Sequence, residues 1–316
     1  MRNADFHTEH RIVVDTEPSV VYDLVADVSR WPVIFGPTVH TRVLEHSARG
    51  DRFEIWATAN GDVRCWTSRR SFDPAARCIT FAQERSTPPV GYLGGSWWFE
   101  PLTGGRTEVV LTHDFSPVPH QPDAAELITR ALDHNSTAEL DALCTVATLP
   151  GGVATMLLTF EDSVELAGPV AGAREFVWAA DRWPDRLPHV AAMKLVEPCD
   201  GVQDMIMDTR SSDGAVHTTR SIRVGLPDRS IAYKQTTVPK PLLGHSGVWE
   251  FVDGATGATM RSWHTVLIDP AAAEELLGPG VALEEAARRV RRALGSNSMI
   301  TMEHASRYSA SAGGLR

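Results

Sequence analysis

Between Arg64 and Phe72, the side chains that could do chemistry fall on alternate positions. Residues two apart in an extended strand share a face. Arg64, Trp66, Ser68 and Arg70 therefore point one way, and Cys65, Thr67, Arg69 and Ser71 the other. A tryptophan, a hydroxyl and an arginine on one face suit the wall of a cavity that takes a flat, oxygen-rich molecule. Arginine keeps its proton, so Arg70 would hold a carbonyl or enolate oxygen and would not act as a base. Ser68 could relay a proton, directly or through water. The same alternation fits a solvent-facing row with Arg70 in a surface ion pair, and the pattern alone leaves both open. Trp31, Phe35, Tyr92, Trp97 and Trp98 add aromatic area to this half, and the nine tryptophans of the 316-residue chain cluster at a few landmarks.

Those landmarks recur in order. Trp31-Pro32 returns as Trp183-Pro184, Thr67-Ser68-Arg69 as Thr218-Thr219-Arg220, and Trp97-Trp98-Phe99-Glu100 as Trp249-Glu250-Phe251, at offsets of 151–152 residues. A constant offset over several landmarks marks a duplicated domain. Each copy opens with a strand and a short helix that runs into Trp-Pro. Alternating segments follow, at 40–46, 51–58, 62–72, 78–85, 95–101 and 106–114 in the first copy, separated by Gly, Asn, Asp and Pro turns. A long amphipathic helix closes each copy, at 122–148 and 283–307. This order predicts an α+β fold in tandem: a curved antiparallel sheet around a long C-terminal helix, with an interior pocket between them. The domains are placed at 1–149 and 154–308. Pro150-Gly151-Gly152 lies at the joint, and the Ser/Ala/Gly-rich tail 309–316 is expected to be disordered. In the second copy the row reads His217, Thr219 and Ser221, with Arg223 two further on and Arg220 matching Arg69. His189, His245 and His264 have no evident counterparts. A neutral histidine near a bound ketone could act as general acid or base, and each of the three also fits a packed core or surface position.

Composition narrows the rest. Hydrophobic residues make up 43% and charged residues 22%, which is globular and not disordered. Thirty Lys and Arg against forty Asp and Glu give a formal charge of −10, a poor basis for binding nucleic acid. No apolar run nears the roughly 18 residues of a membrane span, and residues 1–10 show no apolar core of a secretory signal. No membrane association and a cytoplasmic location are expected. Cys65, Cys78, Cys144 and Cys199 form no CxxC pair, which predicts reduced thiols and no metal site.

Trp31-Pro32-x-x-Phe35, Trp66-x-Ser68-x-Arg70, the Gly95-Ser96-Trp97 strand and the terminal helix together resemble the polyketide aromatase/cyclases of the START/Bet v1-like helix-grip superfamily. The duplication resembles their di-domain members in bacterial type II polyketide pathways. The resemblance implies a seven-stranded sheet gripping the helix and a substrate carried on the phosphopantetheine arm of an acyl carrier protein, alongside other synthase components. It implies first-ring aldol closure of a chain ketoreduced at C9, commonly C7–C12, then dehydration to an aromatic ring, with no metal, nucleotide or redox cofactor. By similarity Arg70 would be the pocket arginine and Ser68 the hydroxyl beside it, with Trp31, Phe35, Trp66 and Trp97 shaping the pocket. Tyr92 and, in the second copy, Trp183, His217, Thr219, Arg220, Arg223 and Trp249 complete the candidates. Family pockets often carry a tyrosine after Trp-Pro, where this chain has Thr38 or His40. Arg64, Arg69, Arg77 and Arg85 are candidates for docking the acidic carrier. The same fold would also serve a non-catalytic carrier of lipids or other hydrophobic ligands. Ring closure is expected in the first copy.

Overall fold

The computed structural model describes residues 4–210, 214–255, 257–278 and 283–313. The chain divides into two compact units, Met1–Thr155 and Met156–Arg316. In the first, β1 (Phe6–Val14) leads into α1 (Pro18–Ala26) and α2 (Trp31–Ile34). The strands β2 (Thr38–Ser47), β3 (Gly50–Ala59), β4 (Asp62–Asp73), β5 (Cys78–Arg85), β6 (Val90–Leu102) and β7 (Arg106–Pro117) follow, and α3 (Ala124–Ala147) closes the unit. The short α4 (Val153–Met156) joins it to the second unit. There β8 (Leu157–Leu166), α5 (Val170–Trp178), α6 (Trp183–Arg186), β9 (Val190–Cys199), β10 (Val202–Arg210), β11 (Val216–Gly225), β12 (Ile231–Thr237), β13 (Leu242–Gly254), β14 (Gly257–Ile268), α7 (Pro270–Leu277) and α8 (Leu283–Gly313) repeat the order.

Each unit has one seven-stranded antiparallel sheet, ordered β1-β7-β6-β5-β4-β3-β2 and β8-β14-β13-β12-β11-β10-β9. This is the fold class that the element order predicts. The strand after the 5–6 turn begins at Val90, earlier than alternation suggests, because Gly91, Gly94 and Gly95 interrupt its pattern. A Cβ on Gly95 would run into the Thr112 carbonyl and the Phe81 ring, and one on Gly247 into the Trp263 carbonyl and the Tyr233 hydroxyl. Glycine at this place lets the ring from the neighbouring strand lie across the sheet.

Local chemistry sets the helices. Pro18 and Pro32 occupy first-turn positions, where a missing N–H costs nothing. The Asp27 side chain accepts from Ser29 N at 3.1 Å and caps the turn that leads to Trp31. Along α3, Ile128, Ser136, Leu140 and Leu143 are buried, a stripe at helical spacing facing the sheet. Fully burying a leucine contributes roughly 1.5–3 kcal/mol, so Leu140 and Leu143 anchor the C-terminal half of the helix. The tail expected to be disordered from 309 instead continues α8 to Gly313. Ser309 is buried there, its Cα packed where a Cβ on Gly172 would reach, so the small residues of the tail serve close helix packing.

Candidate functional site

The concave face of the first sheet and α3 enclose a cavity of ≈ 400 Å³. Trp66, Ser68 and Arg70 of β4 line it, so the row points inward and the solvent-facing alternative falls. Trp31 and Trp97 also line it. Phe35 stands behind them, edge-on to Trp31 at 5.3 Å and stacked on Trp97 at 6.3 Å. Tyr92 belongs to the other face of β6: inward positions there are Leu93 and Trp97, and Tyr92 is absent from the lining. Arg64 sits at the rim, paired to Asp62 at 3.0 Å. The turn Thr87-Pro88-Pro89 and the α3 residues Leu127, Ala131 and Asn135 complete the wall.

Arg70 has a different role from the one sequence implies. Its Nε and one terminal nitrogen donate to both Asp51 carboxylate oxygens, at 2.9 and 2.6 Å. Its terminal nitrogens also donate to the carbonyls of Val25 and Ala26, at 2.7 and 2.6 Å, the last residues of α1. The guanidinium lies 5.2 Å from the Trp31 and Phe53 ring centres and 5.1 Å from Phe72. With its side chain 1% exposed and Asp51's 2%, the pair is a desolvated strut between sheet and helix C-terminus. Four of the five N–H groups are engaged. Arg70 therefore shapes one end of the cavity and is not the free oxyanion donor. Ser68 is available: among the described residues its one side-chain hydrogen bond is a long 3.5 Å contact to the Ala82 carbonyl.

Two polar residues that sequence reasoning passed over lie deep in the cavity. His113 of β7 is buried, and burial pulls its pKa down to about 3, aided by His10 and opposed by Asp114. The ring is neutral at working pH, and its Nδ1 has no hydrogen-bond partner among the described residues. Ser136 of α3 is 1% exposed, lines the same cavity, and its Oγ likewise has no partner. Strand register supplies the signal that could have found His113. Gly95 pairs with His113 and Gly247 with His264, so His264 does have a counterpart.

In the second unit, register corrects the sequence alignment. Asp51 faces Arg70 and Gln203 faces Arg223, so the row Arg64, Trp66, Ser68, Arg70 corresponds to His217, Thr219, Ser221, Arg223. The connection between β10 and β11 is longer than that between β3 and β4, which hid this shift. Arg223 repeats the strut, donating to Gln203 Oε1 at 2.7 Å and the Val177 carbonyl at 2.6 Å, 5.2 Å from the Trp183 ring centre. Burial beside a neutral amide pulls its pKa down to about 9, so it stays charged at neutral pH. Arg220 is exposed and ion-paired to Asp204 at 2.6 Å, on the face away from Thr219 and Ser221. His217 is half-buried, Thr219 buried. Trp183 and Trp249 pack in one cluster of buried residues with Tyr233, Met205 and Met302. Tyr233, His245 and His264 form a bonded cluster: Tyr233 Oη lies 3.0 Å from His264 Nδ1, and His245 Nε2 lies 3.0 Å from the same atom. His264 Nε2 meets Ser298 Oγ at 2.7 Å.

Of the docking candidates, Arg64 and Arg69 pair with Asp62 and Glu84, and Arg77 donates to the Phe99 carbonyl. Arg85 has no partner among the described residues. No described helix is long and apolar enough to cross a membrane. Among the described residues no group of three or more His, Cys, Asp or Glu is placed to hold a metal ion. The four cysteines are free thiols.

Residues 14–138 match the family model described as polyketide cyclase/dehydrase and lipid transport. The chain is 43% identical, over 94% of its length and 92% of the relative's, to the granaticin polyketide synthase bifunctional cyclase/dehydratase of Streptomyces violaceoruber. It is 44% identical, over 94% and 96%, to the actinorhodin polyketide synthase bifunctional cyclase/dehydratase of Streptomyces coelicolor. Among solved structures, the di-domain ARO/CYC BexL of the BE-7585A biosynthetic pathway superposes with a TM-score of 0.78 at 42% identity, covering 96% of this chain and 98% of that one. The di-domain ARO/CYC StfQ of the steffimycin pathway does so with 0.78 at 31% identity, covering 98% and 100%.

Proposed function

The chain belongs to the family of di-domain polyketide aromatase/cyclases, and from that premise we propose that the cavity of its first unit folds a poly-β-keto chain, closes its first ring and dehydrates it. It is an enzyme of polyketide synthesis, a cyclase/dehydratase, and works with other components of a polyketide synthase. The observation that carries the placement in the first unit is the ≈ 400 Å³ cavity, which combines flat aromatics with Ser68, Ser136 and a neutral, unpartnered His113. That volume lies in the range of small-molecule sites. We further propose that the chain arrives on an acyl carrier protein, ketoreduced at C9, that closure joins C7 to C12, and that the step takes place in the cytoplasm.

The chemistry follows from the lining. Methylenes between two carbonyls are acidic, so water reached through Ser68 can take the first proton. The aromatic walls hold the enolate carbon against the carbonyl it attacks, which replaces a bimolecular encounter by a fixed geometry. As the new carbon–carbon bond forms, the carbonyl oxygen gains charge, and neutral His113 polarises it as a hydrogen-bonding partner. The oxygen takes a proton and becomes an alcohol. A second C–H proton then leaves, and hydroxide departs from C7 with a proton as water. The C9 hydroxyl left by ketoreduction departs the same way with a neighbouring C–H proton, the C11 ketone enolises, and the ring becomes aromatic. The net change is loss of two waters, with no change of oxidation state.

The test is reconstitution with a minimal synthase and a ketoreductase, with product profiling. The expected result is correctly cyclised aromatic product with the protein and shunt products without it. Identical profiles would sink the cyclase reading and leave a carrier of hydrophobic ligands.

A further inference from the structure

Both sheets carry a glutamine at the same inward position and surround it differently. On β5, Phe81 and Gln83 line the cavity, and Gln83 stands directly opposite Ser68 of β4. On β12, Tyr233 and Gln235 take the same places, with Gln235 opposite Ser221 of β11. The next strand makes the difference. Gly95 faces Phe81 and Gly247 faces Tyr233, so Leu93 answers to His245, each two residues before its glycine. In the second unit His245 Nδ1 donates to Gln235 Oε1 at 3.0 Å, and the amide is held by its own sheet. In the first unit Leu93 brings an apolar side chain to that place. The half-buried Gln83 has no hydrogen-bond partner for its amide among the described residues, and neither polar atom of that amide is among the enclosed, unpartnered ones. It faces the cavity among Ile55, Phe81 and Leu93 of the sheet and Ala131 and Leu132 of α3. An amide set in such a lining is placed to orient a ligand through its polar groups.

We propose that Gln83 is a specificity-determining residue that recognises a β-hydroxyketone, a hydroxyl and a ketone two carbons apart, on the ligand in the cavity. A primary amide carries an accepting carbonyl and a donating NH2 side by side. The hydroxyl donates to Gln83 Oε1 while the ketone accepts from Nε2, so the pair engages both ends of the amide at once. Two ketones offer acceptors alone and leave Oε1 without a donor in a desolvated wall, which disfavours them. Ser68, its own proton turned toward the Ala82 carbonyl, presents a second acceptor beside the same hydroxyl. The place of this contact in the reaction rests on the cyclase reading: Gln83 then favours the ketoreduced chain over the unreduced one and holds its reduced carbon against the β4–β5 wall. Gln235 is not placed to read a ligand in this way, because His245 already occupies its carbonyl.

The experiment needs no synthase, so its outcome is separable from that of the reconstitution. Equilibrium dialysis of the full chain compares the aldol of 2-naphthaldehyde and acetone, a β-hydroxyketone, with the same ketone lacking the hydroxyl. The unaltered chain should bind the hydroxyketone about three- to tenfold more tightly, the range of one hydrogen bond. The 1,3-diketone of the same skeleton, whose enol proton is held within the molecule, should bind as the plain ketone does. Gln83→Leu, and Gln83→Met with its similar length, should both reduce the preference to within about twofold and leave plain-ketone binding within about twofold. Their unfolding midpoints should stay near that of the unaltered chain, since no internal hydrogen bond is lost. Gln235→Leu should do the reverse, lowering the midpoint because His245 Nδ1 loses its acceptor, and keeping the preference. No preference in the unaltered chain, a preference that survives both Gln83 substitutions, equal losses for both probes, or a lowered midpoint in both Gln83 variants would overturn the proposal and make Gln83 a packing residue of the wall.

Discussion

The two units share a strut and differ in what they leave open. In both, a buried arginine on the fourth strand reaches a backbone carbonyl at the end of the first helix and lies against the Trp-Pro tryptophan. Among the described residues, the first unit lines a cavity with Trp66, Ser68 and His113, while in the second Met205, Met302, Tyr233 and Trp249 pack into one cluster. The arginine serves the fold in both units, and the histidine shared by His113 and His264 is set apart by its surroundings, which diverge: Trp66 against Thr219, Phe81 against Tyr233, Leu93 against His245, Thr8 against Phe160.

The comparison is most exposed at its matched histidines. His113→Ala should lower the rate of correctly cyclised product by about 10²–10³, the usual cost of losing one preorganised partner of a developing oxyanion. His264→Ala should leave that rate within about twofold while lowering stability, because it breaks the bonds to Tyr233 and Ser298. Single-turnover product assays paired with denaturant unfolding measure both. Equal rate losses would mean that the second interior takes part in the chemistry.

The struts should break unequally. Asp51→Ala leaves Arg70 charged and buried without its carboxylate, and such losses run to about 3–5 kcal/mol. Gln203→Ala removes a neutral acceptor from Arg223, worth roughly 1.5–3 kcal/mol. Urea unfolding monitored by tryptophan fluorescence checks the order, and a larger loss at Gln203 would reverse the account of which strut is ionic.

Much of this was legible in the sequence. Alternation put Trp66, Ser68 and Arg70 on one face and left open whether that face turns inward, which the cavity lining decides; the duplication followed from Trp31 and Trp183. The role of Arg70 did not follow, because its partners lie at Asp51 and at the carbonyls of Val25 and Ala26, which no local pattern ties to it. His113 was hidden for a related reason. It follows Val109, Val110 and Leu111 in a strand that reads as core, and only pairing with Gly95 shows it facing the cavity. Arg220 was misread because a two-residue motif fixed the alignment, whereas the longer β10–β11 connection shifts the inward row by one step.

Acid should separate the units next. His113 in the first unit and His245 and His264 in the second are held neutral by burial, well below the usual 6.5. The unfolded chain binds these protons first, so stability is intact above about pH 6.5 and falls as pH drops below it. Each histidine contributes about 1.4 kcal/mol per pH unit there. Between pH 7.5 and 5.5 the second unit should lose roughly 3 kcal/mol and the first about half that. His189, also held below its usual value by burial, adds to the loss in the second unit. Protection factors from hydrogen exchange in β13–β14 and β6–β7 read the two separately, and equal losses would contradict the count of buried rings.

The smallest expected effect is at Arg220, and it matters because the motif Thr-x-Arg points straight at it. Its pair with Asp204 is exposed, with 52% of the arginine side chain in solvent, and it lies on the face away from the interior. Exposed pairs contribute about 0–1 kcal/mol and are screened by salt. Arg220→Ala should therefore leave the product profile unchanged and shift the unfolding midpoint by little, less still in 0.5 M salt, where the screening length is on the order of a few ångström. Arg223→Ala, three positions on and on the inner face, should behave as a core loss instead. If Arg220→Ala alone altered ring closure, the register that aligns Arg70 with Arg223 would be wrong, and with it the division between a shared strut and a diverged site.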